Sequence, residues 1–310
     1  MSLENSKAIV FGANGFLGQN LIYWLLENKF EVLAVDRSDS FTNTNLSENE
    51  NFSFIEADLT IKEEVEDIPM ESADVLYILA ALTGTKVGFE EYSSFVIANE
   101  ILLLNILNTY REKKAKGRLV FPSSRLVYKG KKDVLLKEDS EKEAKTVYAA
   151  NKIAGELYLS CWANAFDIPY TIFRICVPYG QLLPGEYSFG TLGFMINQAK
   201  EKGIITLYGD GSQNRTFSHV SDICELLGNV PFSKESLNKV INIGSNDNFK
   251  LLKLAKLIAI KYNATVKFKE WPKLDLLIES GDTMFDDELL QSIYSYTYKR
   301  NLEAFINQLS

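Results

Sequence analysis

The sequence predicts an α/β protein: a doubly wound parallel sheet with helices on both faces, followed by a smaller α/β lobe. Three observations lead there. Short apolar runs alternate with amphipathic stretches through roughly the first 175 residues. A glycine-rich turn joins the first apolar run to the first amphipathic stretch, and the rhythm changes after Val177.

The elements follow in order. Residues 7–12 (KAIVFG) form an apolar run without polar alternation, the pattern of a strand buried on both faces. Runs at 31–36 (EVLAVD), 52–58 (FSFIEAD), 74–81 (DVLYILAA), 118–124 (RLVFPSS) and 170–175 (YTIFRI) repeat it. Helical patterns lie between them at 16–28, 92–114 and 147–166, while the polar stretch 37–51 reads as a loop. Beyond Val177, Gly, Pro and aromatic residues crowd 177–190, and short strands at 204–209 and 239–244 join further helices to complete a second lobe. The expected division is a dinucleotide-type domain at 1–176 and a substrate lobe at 177–310, with some segments able to return to the first domain.

Composition narrows the function. Of 310 residues, 46% are hydrophobic and 24% charged, ordinary for a globular protein. A net charge of −8 disfavours nucleic acid or a membrane surface as partner, both being anionic, but leaves room for an anionic small molecule in a local cationic pocket. The start lacks the basic and apolar regions of a signal peptide, and no run reaches the ~18 apolar residues of a membrane span. Cys161, Cys176 and Cys224 are scattered and odd in number, and His219 is the single histidine. Neither a disulfide framework, a zinc site nor a Ser-His-Asp hydrolase is expected. The chain reads as reduced, cytoplasmic and metal-free.

Two motifs carry chemistry. The first run ends in GANGFLG, whose Gly12, Gly15 and Gly18 let the backbone turn tightly against a pyrophosphate at the N-terminus of the helix that Phe16 and Leu17 open. The next strand ends in Asp36, which can accept hydrogen bonds from a ribose 2′-hydroxyl and repels a 2′-phosphate. NAD is therefore expected; the neighbouring Arg37 keeps NADP possible. The second motif is YAANK, with Tyr148 and Lys152 one turn apart on a helix. A tyrosine hydroxyl loses its proton near pH 10, so work as a base near neutrality needs a fall of about 3, worth about 4 kcal/mol. A cation about 4 Å away supplies energy of that order at an intermediate dielectric.

With these residues in view, the chain resembles the extended short-chain dehydrogenase/reductases, specifically the nucleotide-sugar epimerases and dehydratases of the UDP-galactose 4-epimerase type. GANGFLG, ADLT (57–60), LAA (79–81), FPSSRLVY, YAANK, GDGSQNRTFSHVSDI (209–223) and INIGS (241–245) fall in that family's order nearly end to end. The resemblance implies a Rossmann-type fold. It implies that the glycines hold pyrophosphate, that Asp36 holds ribose, and that Asp58 and Leu59 flank adenine. Leu79, Ala80, Ala81, Asn99 and Ser123 join the cofactor-binding set, Ser123 either there or as a support of the strand end. Ser124 matches the catalytic Ser or Thr, Tyr148 the acid/base, and Lys152 the lysine that binds nicotinamide ribose and lowers the tyrosine pKa. Arg215 matches a diphosphate-binding arginine and Tyr208 a residue beside the nucleotide base; Thr83, Ser124, Arg125, Val177 and Thr191 complete the expected substrate site.

Some positions depart from the pattern. Dehydratases of the family carry Asp-Glu directly after the catalytic Thr, where this chain has Arg125 and Leu126. Val177 stands where an asparagine usually contacts substrate phosphate, and Glu279 where a phosphate-binding arginine is expected. Dehydration is thereby disfavoured. The reading is an NAD-dependent nucleotide-sugar C4 epimerase passing through a 4-keto sugar. The rivals are an NAD(P)H-dependent 4-keto-6-deoxysugar reductase and a non-catalytic dinucleotide-binding regulator. Apolar stripes at 91–110 and on the Tyr148 helix match the helix pair that builds a homodimer in this family, and His219 reads as a packing residue.

Overall fold

The computed structural model describes residues 3–38, 41–185 and 187–309, so parts of the N-terminal segment, the 37–51 loop and the 177–190 stretch lie outside the described residues. The centre is a seven-stranded, wholly parallel sheet. Its strands are β1 (Lys7–Phe11), β2 (Glu31–Asp36), β3 (Phe52–Glu56), β4 (Val75–Ile78), β5 (Arg118–Ser124), β6 (Tyr170–Ile175) and β7 (Lys239–Ile243). In space they run β3-β2-β1-β4-β5-β6-β7, so the order reverses between β1 and β4. A reversal of this kind opens a crevice at the carboxyl ends of the strands, where ligands bind in doubly wound folds. This is the fold class that the alternating pattern predicts.

Two apolar cores hold helices against the sheet. On one face, Leu21, Ile22 and Leu25 of the helix Phe16–Glu27 meet Ile223 and Leu227 of the helix Val220–Asn229. On the other, Leu103, Ile106 and Leu107 of the helix Leu102–Glu112 meet Leu159 and Ala163 of the helix Val147–Phe166. The helical stretch read at 92–114 is interrupted by a π turn at Ile97–Ile101, a device often found beside functional sites.

The second lobe has its own core of Leu192, Ile196, Leu207, Phe217, Leu254 and Ile258. There Asn214–His219 pairs with Val177–Tyr179 in parallel and with Asp247–Lys250 antiparallel. The strand expected at 239–244 corrects the reading: it is β7, paired with β6 at the edge of the main sheet. A strand sequence encodes a pleated, buried segment and not the sheet it joins. Among the described residues no helix is long and apolar enough to cross a membrane.

Candidate active site

The glycine-rich turn is shaped for close approach. Gly12 has φ +81, and a Cβ there would lie 2.4 Å from the Ala80 nitrogen; a Cβ on Gly18 would lie 2.3 Å from the Gly12 carbonyl. Gly15 caps the helix Phe16–Glu27, with no side-chain cap and no acid in the first turn. Its first N–H groups, including those of Phe16 and Leu17, have no helical acceptor and favour an anion. The Phe16 ring is spent elsewhere, stacked on Phe189 of the second lobe at 3.6 Å between centroids.

Next to this turn opens a cleft lined by Gly12, Gly15, Asp36, Arg37, Asp58, Leu59, Leu79, Ala80 and Ala81. Ala57, Thr60, Leu82, Ala98 and Leu102 complete it; Ala57 and Thr60 belong to the ADLT stretch, whereas no motif pointed to Leu82, Ala98 or Leu102. Asp36 receives the Asn14 backbone N–H on Oδ2 at 2.9 Å, which aims the carboxylate across the cleft. Asp58 closes its own turn by accepting from the Thr60 N–H and hydroxyl at 2.9 and 2.7 Å. Glycine cradle, open helix end and carboxylate fit NAD. Asp36→Ala is expected to lower the NADP-to-NAD ratio of dissociation constants at least tenfold, measured by calorimetry, because like charges in contact cost several kcal/mol.

Asn99 does not line this cleft. Its amide clasps the Leu82 backbone, accepting from N–H at 2.8 Å and donating to C=O at 3.0 Å, and donates to Asn151 at 3.2 Å. It fixes the loop that carries Leu79–Leu82. Ser123 likewise supports the strand end, donating to buried Glu156 at 2.6 Å. Glu156 in turn holds the buried Arg174 guanidinium at 2.9 and 2.7 Å.

The catalytic candidates meet where β5 ends. Thr146 caps the helix Val147–Phe166 by accepting from the Ala149 N–H at 3.1 Å, which puts Tyr148 in the first turn and Lys152 in the second. Burial pushes the Tyr148 hydroxyl up to about 12; a hydrogen bond with Ser124 and the charge of Arg125 oppose that rise. Lys152 is buried, donates to the Pro122 carbonyl at 2.8 Å and lies 5.7 Å from the centre of the Tyr148 ring. Burial brings its ammonium down to about 7, against the pull of Glu156. In the protein without ligands, the cation that eases tyrosine ionisation is therefore Arg125.

A second cleft lies between the lobes and is lined by Arg125, Leu126, Thr191, Arg215, Glu279 and Ser280, with Thr85, Trp271, Asp275 and Ile278. Arg125 donates to Ser280 Oγ at 2.9 Å and Thr283 Oγ1 at 3.2 Å. Arg215 Nη2 reaches both Glu279 oxygens, at 3.0 and 3.1 Å, while its Nε is buried without a partner. Glu279 therefore does face Arg215. Tyr208 lies beside Trp271 at 5.3 Å between centroids. Four substrate expectations are not among the residues lining this cleft: Ser124 stands at the end of β5, Tyr208 beside Trp271, Val177 is buried in the second-lobe core, and Thr83 is absent from a wall to which Thr85 contributes. His219 accepts the Ser221 N–H at 3.1 Å as a helix cap, and burial lowers its pKa to about 4.

This arrangement agrees with a match to the NAD dependent epimerase/dehydratase family over residues 8–244. The chain belongs to that family. A curated relative, an uncharacterised UDP-glucose epimerase, YtcB, of Bacillus subtilis, is 28% identical over 262 residues, covering 81% of each chain. Among solved structures, the epimerase Mth375 of Methanothermobacter thermautotrophicus superposes with a TM-score of 0.86 at 22% identity, over 98% of this chain and 90% of that one. A UDP-glucuronic acid 4-epimerase of Bacillus cereus, in complex with UDP-glucuronic acid and NAD, gives 0.82 at 24% identity, over 97% and 96%. Within this NAD-dependent family the chain is an enzyme of the epimerase, dehydratase and reductase group.

Proposed function

We propose that the protein is a nucleotide-sugar C4 epimerase working through a 4-keto sugar. The carrying observation is the convergence of the Ser124 and Tyr148 hydroxyls at the end of β5, followed by Arg125 and Leu126 where a dehydrating enzyme needs an acid and a base. NAD, when bound, supplies the acceptor and donor of the C4 hydride. Ser124 holds the C4 hydroxyl, Tyr148 takes its proton and returns it, and Lys152 holds the nicotinamide ribose. Nothing directly after Ser124 can protonate a leaving hydroxyl, which supports hydride and proton movement over loss of water.

Arg215, with its unpartnered Nε, supports a diphosphate site, and the Tyr208–Trp271 pair supports a place for the base beside it. Glu279 competes for Arg215, so Glu279→Gln is expected to tighten UDP binding about tenfold by calorimetry, a gain of about 1.4 kcal/mol. Exposed Tyr92, Val96, Ile97 and Ile101, with Leu157 on the neighbouring helix, support a homodimer through these two helices.

Mass spectrometry of nucleotides released from the purified protein, followed by NMR of a UDP- and dTDP-sugar panel, tests the reading. Retained NAD and interconversion of C4 epimers are expected. Protein free of nucleotide that oxidises NADPH with a 4-keto-6-deoxy sugar would make it a reductase instead.

A further inference from the structure

Arg125 is set apart from the other charges of the interlobe cleft. Arg215 is neutralised by Glu279, and Asp275 stands on the 273–278 segment without an ion pair to either arginine. Arg125 is anchored through Nη1 alone, by two neutral hydroxyls, and no carboxylate of the described residues lies within ion-pair distance of it. Its Nε and Nη2 take no protein partner among the described residues, and neither is a buried orphan. That edge of a guanidinium is one that grips a carboxylate with two parallel hydrogen bonds. Burial and the nearby Arg215 bring its pKa down to about 9, against the pull of Glu279.

Position decides which anion it meets. Arg125 follows Ser124 directly, one Cα step of about 3.8 Å along the chain; its side chain reaches Ser280, next to Glu279, and its charge is felt by both Arg215 and Tyr148. It therefore stands between the reacting end, which Ser124 marks, and Arg215, toward which a diphosphate on C1 leaves from the opposite side of the ring. Resting on the proposed nucleotide-sugar reading, we infer that Arg125 is a specificity residue for sugars with a carboxylate next to C4, the hexuronates. In the plainer alternative, Arg125 only pins the Ser280–Thr283 turn.

Calorimetry on the NAD-loaded Tyr148→Phe protein, which binds without turning over, separates these. UDP-glucuronate is expected to bind at least tenfold tighter than UDP-glucose. Adding Arg125→Gln should bring that ratio to about one or below, and Arg125→Lys should keep part of it and guards against misfolding of the first variant. Equal or tighter binding of UDP-glucose by the Arg125 protein overturns the inference. So does a proportional loss of both sugars in Arg125→Gln with the ratio intact, the outcome of turn-pinning alone. Strong binding of both sugars without preference leaves the nucleotide-sugar reading standing, whereas binding of neither brings down both.

Discussion

Tyr148→Phe lowers kcat for sugar interconversion by roughly 10²- to 10⁴-fold, the usual worth of a positioned acid/base group. The loss is confined to chemistry. The hydroxyl's hydrogen bond with Ser124 contributes only about 1 kcal/mol to folding, so thermal melting should barely move. Steady-state rates measured beside melting curves check both halves. A variant that keeps a tenth or more of its rate would remove Tyr148 from the proton path. With Tyr148 held up at about 12 by burial, the tyrosinate is scarce near neutrality and grows as pH rises. Activity limited by this ionisation therefore climbs with pH, and removing the Arg125 charge moves the climb further up.

The largest effect on stability is expected at Glu156, beneath the site. Its carboxylate is the ion-pair partner of Arg174, itself 1% exposed, and also accepts from Ser123. Glu156→Ala leaves a buried guanidinium without its counter-charge, at a cost of about 3–5 kcal/mol. Replacing both partners, Glu156→Leu with Arg174→Met, should cost much less, because no charge is then stranded. Denaturant unfolding of the two variants checks this, and equal losses would contradict it. The single variant also withdraws the carboxylate that holds up the Lys152 pKa, so Lys152 is expected to lose its proton at a lower pH.

These two sites differ in how far the sequence reveals them. Tyr148 and Lys152 announce themselves by spacing, and Thr146 before them marks the helix start that puts both on one face. Strands β1, β4, β5 and β6 were legible for a similar reason: a parallel strand covered on both sides reads as a near-continuous apolar run. Glu156 gave no signal, because its partners Arg174 and Ser123 come from other strands and only the fold brings the three together. The same holds for Lys152. Its low pKa comes from enclosure by Phe121 and Pro122, which motif spacing does not encode. Thr85 and Trp271 reach the cleft from loops, where no periodicity marks the inward side. Phe16 sits in the glycine motif, yet its ring joins the two lobes. At Arg125 the sequence was informative through what it lacks, an acid after Ser124, and the structure added the two hydroxyls that anchor its charge in the cleft.

The central claim is that a hydride leaves C4 and returns to C4 of the same sugar. Incubating the NAD-loaded protein with a nucleotide sugar deuterated at C4, and following both epimers by NMR, tests it most directly. The account predicts interconversion with deuterium retained at C4 in both epimers and no net consumption of nicotinamide nucleotide. Washout of the label into solvent, or accumulation of a dehydrated 4-keto-6-deoxy product, would contradict it.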